Sequence, residues 1–336
     1  MLKHIFKPSL LGLAVAVGLS AHTAIANDKA LTIYTYDSFT SEWGPGPAIE
    51  KNFEAICNCD LKFVGLDSSI GILGRVRLEG SSSKADIVLG LDTNLTEIAR
   101  DTGLFAPHQA KNLPDNLPVA FADDVFMPFD WGTFAFVYDK NRMQTPPASL
   151  EALISADDSL KIVIQDPRTS TPGLGLLLWM KSVYGADAAQ KWQALQPKIL
   201  TVTKGWWDAY SLFLEGEADM VLSYTTSPAY HIIAEEKTNY AAASFREGHY
   251  GQIEVAAMLK SAPEPELAAQ FMDFIQTSGF QDVIPTTNWM YPTSKAAVPE
   301  AFSELVQPAK YLLFSGEEVA ANQKQWIDEW QQASQQ

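Results

Sequence analysis

Eight residues, Ser223-Tyr-Thr-Thr-Ser-Pro-Ala-Tyr230, combine the groups that would hold a phosphate beside a flat organic ring. A strand-like Asp219-Met-Val-Leu222 precedes them and a helix-like His231-Ile-Ile-Ala-Glu-Glu236 follows. Pro228 suits the first turn of that helix, where a missing N–H costs nothing, and Ser227 or Thr226 suits the cap. A helix start behind the hydroxyls of Thr225, Thr226 and Ser227 offers backbone N–H groups and a positive dipole end to an anion. Tyr224 and Tyr230 bracket the turn and suit packing against a ring. Capping hydroxyls are common, so the same residues also fit an ordinary capped helix after a buried strand.

Two neighbouring turns have the same build. Gln165-Asp-Pro-Arg-Thr-Ser-Thr-Pro-Gly-Leu174 again runs from a strand through hydroxyls to a proline at a helix start, with Ser170 and Thr171 placed to meet an anion and Arg168 placed to add charge. Thr203-Lys-Gly-Trp-Trp207 sets an indole at the same edge. Three such turns in succession predict a shared anion site. Tyr36, Trp43, Trp131, Trp206, Trp207, Tyr230, Trp289 and Tyr291 mostly fall in loops or at strand ends, where aromatic residues make contacts; Tyr34 and Trp179 read as core. An aromatic box suits sugars, flat heterocycles and organic cations, the last gaining about 0.5–2 kcal/mol per well-placed ring.

Catalytic patterns are missing. There is no Gly-x-Ser-x-Gly, His-Glu-x-x-His or Gly-Lys-Ser/Thr. Of five histidines, His4 and His22 precede the fold, and His108, His231 and His249 stand in no nucleophile–base arrangement, which leaves exposed or helix-packed roles. Asp123-Asp124 and Glu235-Glu236 read as solvated faces. The two cysteines, Cys57 and Cys59, lack the companions of a zinc site. In an exported chain they either close a small ring, the favoured reading, or stay as thiols.

The elements that position these turns follow a simple alternation. Leu31–Tyr36, Leu61–Val64 and Asp86–Leu89 read as strands. Between and after them run helices over Pro47–Ile56 (apolar at Ile49, Phe53 and Ile56), over a stretch with Ile72, Leu73 and Val76, and over Leu95–Thr102. Phe126–Tyr138 reads as two extended pieces, one finishing a first lobe and one opening a second. Strands Lys161–Ile164, Ile199–Val202 and Met220–Ser223 then alternate with helices Pro172–Tyr184 and Trp206–Leu214. Gly251–Ala257 reads as the return crossing, and helices over Glu264–Thr277 and Gly316–Gln335 are expected on the first lobe. This is an α/β class with mainly parallel sheets flanked by helices, and ligands of such sheets sit at the strands' carboxyl ends. The expected division is a leader over 1–26, a first lobe over 27–128 completed by 255–336, and a second lobe over 129–254.

The leader has the signal-peptide pattern: Lys3 and Lys7, an apolar Leu10–Leu19, and a small-x-small Ala24-Ile-Ala26. Export of the chain follows. Without Lys3 and Lys7, 22 basic residues face 40 acidic ones, a formal charge of −18, which disfavours a nucleic-acid partner.

Several stretches are specific enough to indicate a family. Tyr34-Thr-Tyr-Asp-Ser-Phe39, Trp43-Gly-Pro-Gly-Pro47, Asp166–Met180, Ser223–His231 and Asn288-Trp-Met-Tyr-Pro292 resemble the periplasmic thiamine-binding proteins of bacterial thiamine ABC transporters. The resemblance spans nearly all of the chain after the leader, Cys57-Asn-Cys59 included. It implies a two-lobed periplasmic binding-protein fold of type II-like form, closing on thiamine, thiamine monophosphate or thiamine diphosphate in a cleft between the lobes. It further implies a monomer that needs no cofactor and delivers its ligand to an inner-membrane permease. Carried over by motif, Ser170, Thr171, Trp206, Tyr224, Thr225, Thr226 and Ser227 would meet the phosphate end from the second lobe, and Tyr36, Trp43, Tyr230 and Trp289 the rings. The loop after the second strand departs from the family, with Ser68-Ser69 behind Asp67 in place of an Asp-Gly pair. The acceptor for the aminopyrimidine there is then a backbone carbonyl, a hydroxyl, or Asp67 shifted by one. Two other readings remain: a secreted thiamine-cleaving enzyme, since thiaminase I resembles the same fold, and a binding protein for a polyamine, a sugar phosphate or ferric ion.

Overall fold

The structure, a computed structural model, describes residues 29–335; the expected leader lies outside them. The chain opens with β1 (Ala30–Tyr36), β2 (Asp60–Leu66) and β3 (Ile87–Asp92), with β1 pairing in parallel with the other two. Every residue of β3 is buried, as expected for a central strand covered on both faces. Helix Gly46–Cys57 buries Ile49 and Phe53, whereas Ile56, in its last turn beside the Cys57–Cys59 disulfide, is exposed. Helix Ser69–Glu79 buries Ile72, Leu73 and Val76 as the spacing predicts.

After the short β4 (Phe105–Ala106) comes β5 (Met127–Asp139), one continuous strand where two pieces were expected. It is continuous because it serves both lobes. Its first part, from Met127 to Thr133, pairs with β10 (His249–Leu259); its second part, from Phe134, pairs with β8 (Met220–Tyr224) and β9 (Tyr240–Ala242). The second lobe is completed by β6 (Ile162–Gln165), parallel to β8 and to β7 (Ile199–Thr203). Short strands β11 (Tyr291–Pro292) and β12 (Tyr311–Leu312) add to β5 and β10. The main path is therefore β2-β1-β3-β10-β5-β8-β6-β7. This is a mixed α/β two-lobed sheet with β5 and β10 antiparallel to each other at the junction.

Two short helices, Leu150–Ile154 and Ala188–Leu195, lie outside the sequence expectation. The last helix, Gly316–Ala333, starts at a Ser315 cap whose hydroxyl accepts from the Glu318 amide. The sequence reading assigns it to the first lobe, but it contacts both. At about 27 Å long it spans the junction, touching helix Thr96–Arg100 on one side and helices Thr171–Tyr184 and Ala188–Leu195 on the other. Its buried Trp330 meets Trp192 at 6.4 Å, and Glu329 pairs with Lys181. No described helix is long and apolar enough to cross a membrane.

Candidate functional site

The carboxyl ends of β1, β2, β6, β7 and β8 surround a cavity of about 290 Å³. Thirteen of the fourteen residues expected at the site line it: Tyr36, Trp43, Asp67, Ser68 and Ser69 from the first lobe, Ser170, Thr171, Trp206, Tyr224, Thr226, Ser227 and Tyr230 from the second, and Trp289 from the returning chain. Thr225 is the exception. Its amide donates to the Thr133 carbonyl at 2.9 Å and its hydroxyl bonds that of Thr133 at 2.8 Å, so it fastens the turn to β5. Alternation around the turn sends its neighbours to the cavity and Thr225 inward.

The second-lobe edge is built from uncharged donors. Ser170 occupies the cap position of helix Thr171–Tyr184 without its hydroxyl bonding the backbone. Among the described residues, the Thr171 and Gly173 amides have no acceptor, as first-turn amides lack one inside a helix. Gly173 is required there: a Cβ would lie 2.5 Å from the Gln165 carbonyl, so glycine lets the helix start close against the end of β6. Arg168 does not add charge as expected. Its guanidinium turns to Asp166 and lies over the Trp330 ring at 5.8 Å, away from the cavity. Ser227, at the cap of helix Pro228–Ala234, uses its hydroxyl to bond Ser223 (2.7 Å) and to accept from the Tyr224 amide (3.1 Å). Ser223 in turn accepts from the Trp206 indole N–H at 2.8 Å, and Trp206 stacks on Tyr210 at 5.1 Å. The hydroxyl turn thus also sets the orientation of Trp206.

Aromatic rings form the walls. Trp43 and Trp207 face each other across the mouth at 5.7 Å, each about half exposed. Trp289 meets Tyr230 edge-on at 5.4 Å from a left-handed backbone, φ 57°. That conformation costs a bulky residue about 1–3 kcal/mol, and its amide is held by the Ile284 carbonyl at 3.0 Å. Across the cleft, Thr171 donates to Ser69 at 2.9 Å and Lys204 pairs with Asp67. Ser68 caps helix Ser69–Glu79 through the Gly71 amide, and Ser69 donates to the Gly90 carbonyl. Gly90, at φ 105°, leaves room for the Tyr36 ring, which a Cβ would approach to 2.5 Å.

The floor is acidic, and the sequence reading missed it. Tyr36 donates to Glu254 at 2.9 Å, and Asn288 donates to Asp130 at 2.6 Å. Burial, with Asp130 alongside, pushes Glu254 well above the usual carboxylate range; burial raises Asp130 too, and Asp92 to about 6. Gln252, which accepts from Tyr224 at 2.9 Å, shares this surface. One signal was present: in Gly251-Gln-Ile-Glu-Val-Ala-Ala257 the polar residues alternate, and a strand sends alternate residues to one face. Ser38, Pro172, Trp207, Tyr210, Leu214, Thr287, Asn288 and Met290 complete the lining.

The remaining candidates have structural roles. Of the exposed and helix-packed roles expected, the second fits His231, buried in helix Pro228–Ala234; His249 is also fully buried and His108 nearly so. His231 joins Tyr210 (2.9 Å) to Glu235 (2.7 Å), and His249 lies against the Phe134 carbonyl at 2.7 Å. Cys57 and Cys59 are bonded to each other, so neither is a thiol nucleophile. Among the described residues no group of three or more His, Cys, Asp or Glu is arranged to hold a metal ion.

Residues 40–282 match the profile of the bacterial extracellular solute-binding proteins. The chain belongs to that family. A thiamine-binding periplasmic protein of Escherichia coli (strain K12) is 56% identical over 303 residues, covering 90% of this chain and 93% of the relative. One from Haemophilus influenzae (strain Rd) is 44% identical over 321 residues, covering 94% and 96%. A solved periplasmic thiamin binding protein superposes with a TM-score of 0.89 at 56% identity, covering 91% of this chain and 96% of the other. A ferric binding protein from Campylobacter jejuni shares the fold, with a TM-score of 0.77, at 20% identity over 90% of this chain and 99% of the other. The close relatives are named as binding proteins, and the chain is accordingly a solute-binding protein and no enzyme.

Proposed function

We propose that this protein captures thiamine in the periplasm and hands it to an inner-membrane ABC permease, and that it also takes thiamine monophosphate and thiamine diphosphate. The carrying observation is the match between three kinds of surface in one cavity and three parts of one ligand. Thiamine joins a flat aminopyrimidine, a permanently cationic thiazolium, and an alcohol that phosphate can extend. Trp43, Trp206, Tyr230 and Trp289 supply ring faces to the first two. The acid floor at Glu254 suits the cation. The hydroxyls of Ser170 and Ser227, with the Thr171 amide, suit the phosphate end. Relatives at 44–56% identity, named for thiamine binding, favour the same reading.

For the aminopyrimidine, Asp67 is engaged by Lys204, so Ser68, Ser69 and the neighbouring carbonyls are the nearer acceptors. The protein acts as a monomer and needs no cofactor. Closure moves the lobes about the crossing where Asp130–Thr133 pairs with Gly251–Glu254. Equilibrium dialysis of ligand-stripped protein, followed by chromatography of the recovered ligand, tests the reading. The expected result is one intact thiamine bound per chain, not displaced by a polyamine, a sugar phosphate or ferric citrate. Cleaved thiamine, or displacement by one of those competitors, would contradict it.

A further inference from the structure

Three carboxyl groups stand in a row across three adjacent strands. Glu254 on β10 is in register with Asp92 on β3 on one side and with Asp130 on β5 on the other. All three are buried, and Glu254 faces the cavity. The Asn288 amide nitrogen lies 2.6 Å from Asp130 Oδ2 and 3.5 Å from Glu254 Oε2, so one donor bridges the two carboxyls. Two buried carboxylates this close repel each other when both are ionised, which favours one proton on the pair. Every other group that faces the pair is uncharged: Tyr36 and Asn288 donate to it, and Tyr224 is turned to Gln252. Asp92 takes the Asn94 amide at 2.7 Å, with Tyr311 and Tyr250 nearby. No lysine, arginine or histidine pairs with any of the three among the described residues. One oxygen of Asp92 and one of Asp130 have no hydrogen-bond partner. A buried carboxylate without a countercharge is strongly disfavoured, so the pair holds its proton until a cation arrives.

We propose that the Asp130–Glu254 pair selects a positively charged ligand by releasing its shared proton to solvent as the cation enters, one positive charge replacing another in the cavity. The inference rests on the thiamine reading above and deepens it. It makes Glu254 the specificity residue for the thiazolium charge and Asp130 the residue that positions and tunes it. Tyr36 and Asn288 then hold the ionised form.

Calorimetry of the mature protein with thiamine at pH 7, in PIPES and in imidazole, measures the proton, because the two buffers differ in heat of ionisation. The expected result is a buffer-dependent heat corresponding to proton release, with affinity rising from pH 6 to pH 8 by up to about tenfold per unit. Glu254→Gln should abolish the release and narrow the preference for thiamine over a neutral isostere, with carbon in place of the quaternary nitrogen, by about tenfold, the worth of one pKa unit. Asp130→Asn should reduce the release while keeping part of the preference, and it serves as the test if Glu254→Gln fails to fold. Tight binding with no buffer dependence, or a folded Glu254→Gln that keeps both release and preference, would overturn the proposal and leave the thiamine reading intact. Failure of the native protein to bind thiamine would overturn both.

Discussion

Two parts of the same cavity are built on opposite principles. The second-lobe edge, at Ser170–Thr171 and Ser223–Ser227, presents neutral donors on turns that open helices. The floor, at Asp130 and Glu254, presents acids on the two strands that join the lobes. Neutral donors accommodate an alcohol or a phosphate without a fixed charge, and Arg168, a nearby cation that would have forced a choice, is taken by Asp166. A buried acid pair does the reverse and discriminates by charge. A cavity built this way is permissive at one end of its ligand and selective at the other.

Removing the walls shared by both regions should have the largest effect. Trp206→Ala or Trp289→Ala should cost at least about 2 kcal/mol of affinity, roughly thirtyfold, with the melting temperature little changed. Isothermal titration beside a thermal melt measures both, and unchanged affinity in the two variants would remove the aromatic box from the account. Next is a change confined to the edge. Ser227→Asp puts a negative charge against the phosphate end and should weaken thiamine diphosphate about tenfold more than thiamine; equal losses would mean that the phosphate lies elsewhere.

The floor predicts a smaller effect on stability. Carboxyls whose folded pKa is raised bind protons more tightly folded than unfolded, so their contribution is greatest at low pH and declines as pH rises from about 4 through the raised values. For Asp92, raised to about 6 by burial, the full decline is on the order of 3 kcal/mol. Buried His231 and His249, lowered by burial, work in the opposite direction below about pH 6.5, where their unfolded forms charge. The informative quantity is therefore a difference. Asp92→Asn should lose less stability than the native chain between pH 5 and pH 8 in denaturant titrations, and parallel curves would contradict the raised value. The smallest effect belongs to the rim. Lys204→Ala removes an exposed pair with Asp67, and exposed pairs contribute little, so ligand affinity should hardly move. A large loss would make Lys204 part of the binding surface.

The same contrast explains what could be read from the sequence. The β-α alternation, the buried helix faces and the three hydroxyl turns are local patterns, and each emerged close to its expected place; helix Trp206–Leu214 matches residue for residue. Ser170, Thr171, Thr226 and Ser227 were visible because caps and prolines mark helix starts. The floor was not visible because it depends on register. Asp130 and Glu254 lie more than a hundred residues apart, and only the antiparallel pairing of β5 with β10 places them side by side. Asn288 joins them by the returning chain, for which local spacing holds no cue. Thr225 lies outside the lining for a related reason: a run of hydroxyls does not say which one faces inward. That the last helix packs on the second lobe as well as the first is not legible, because its apolar face, with Val319, Trp330 and Ala333, does not specify how many lobes it covers.

The most direct test of the central claim is a titration of ligand-stripped protein with thiamine and with thiamine diphosphate, followed by tryptophan fluorescence. Trp43, Trp206, Trp207 and Trp289 line the cavity, so the account predicts saturable quenching by both ligands. No fluorescence response to either would mean that these turns and rings serve another ligand, and the thiamine reading would fall.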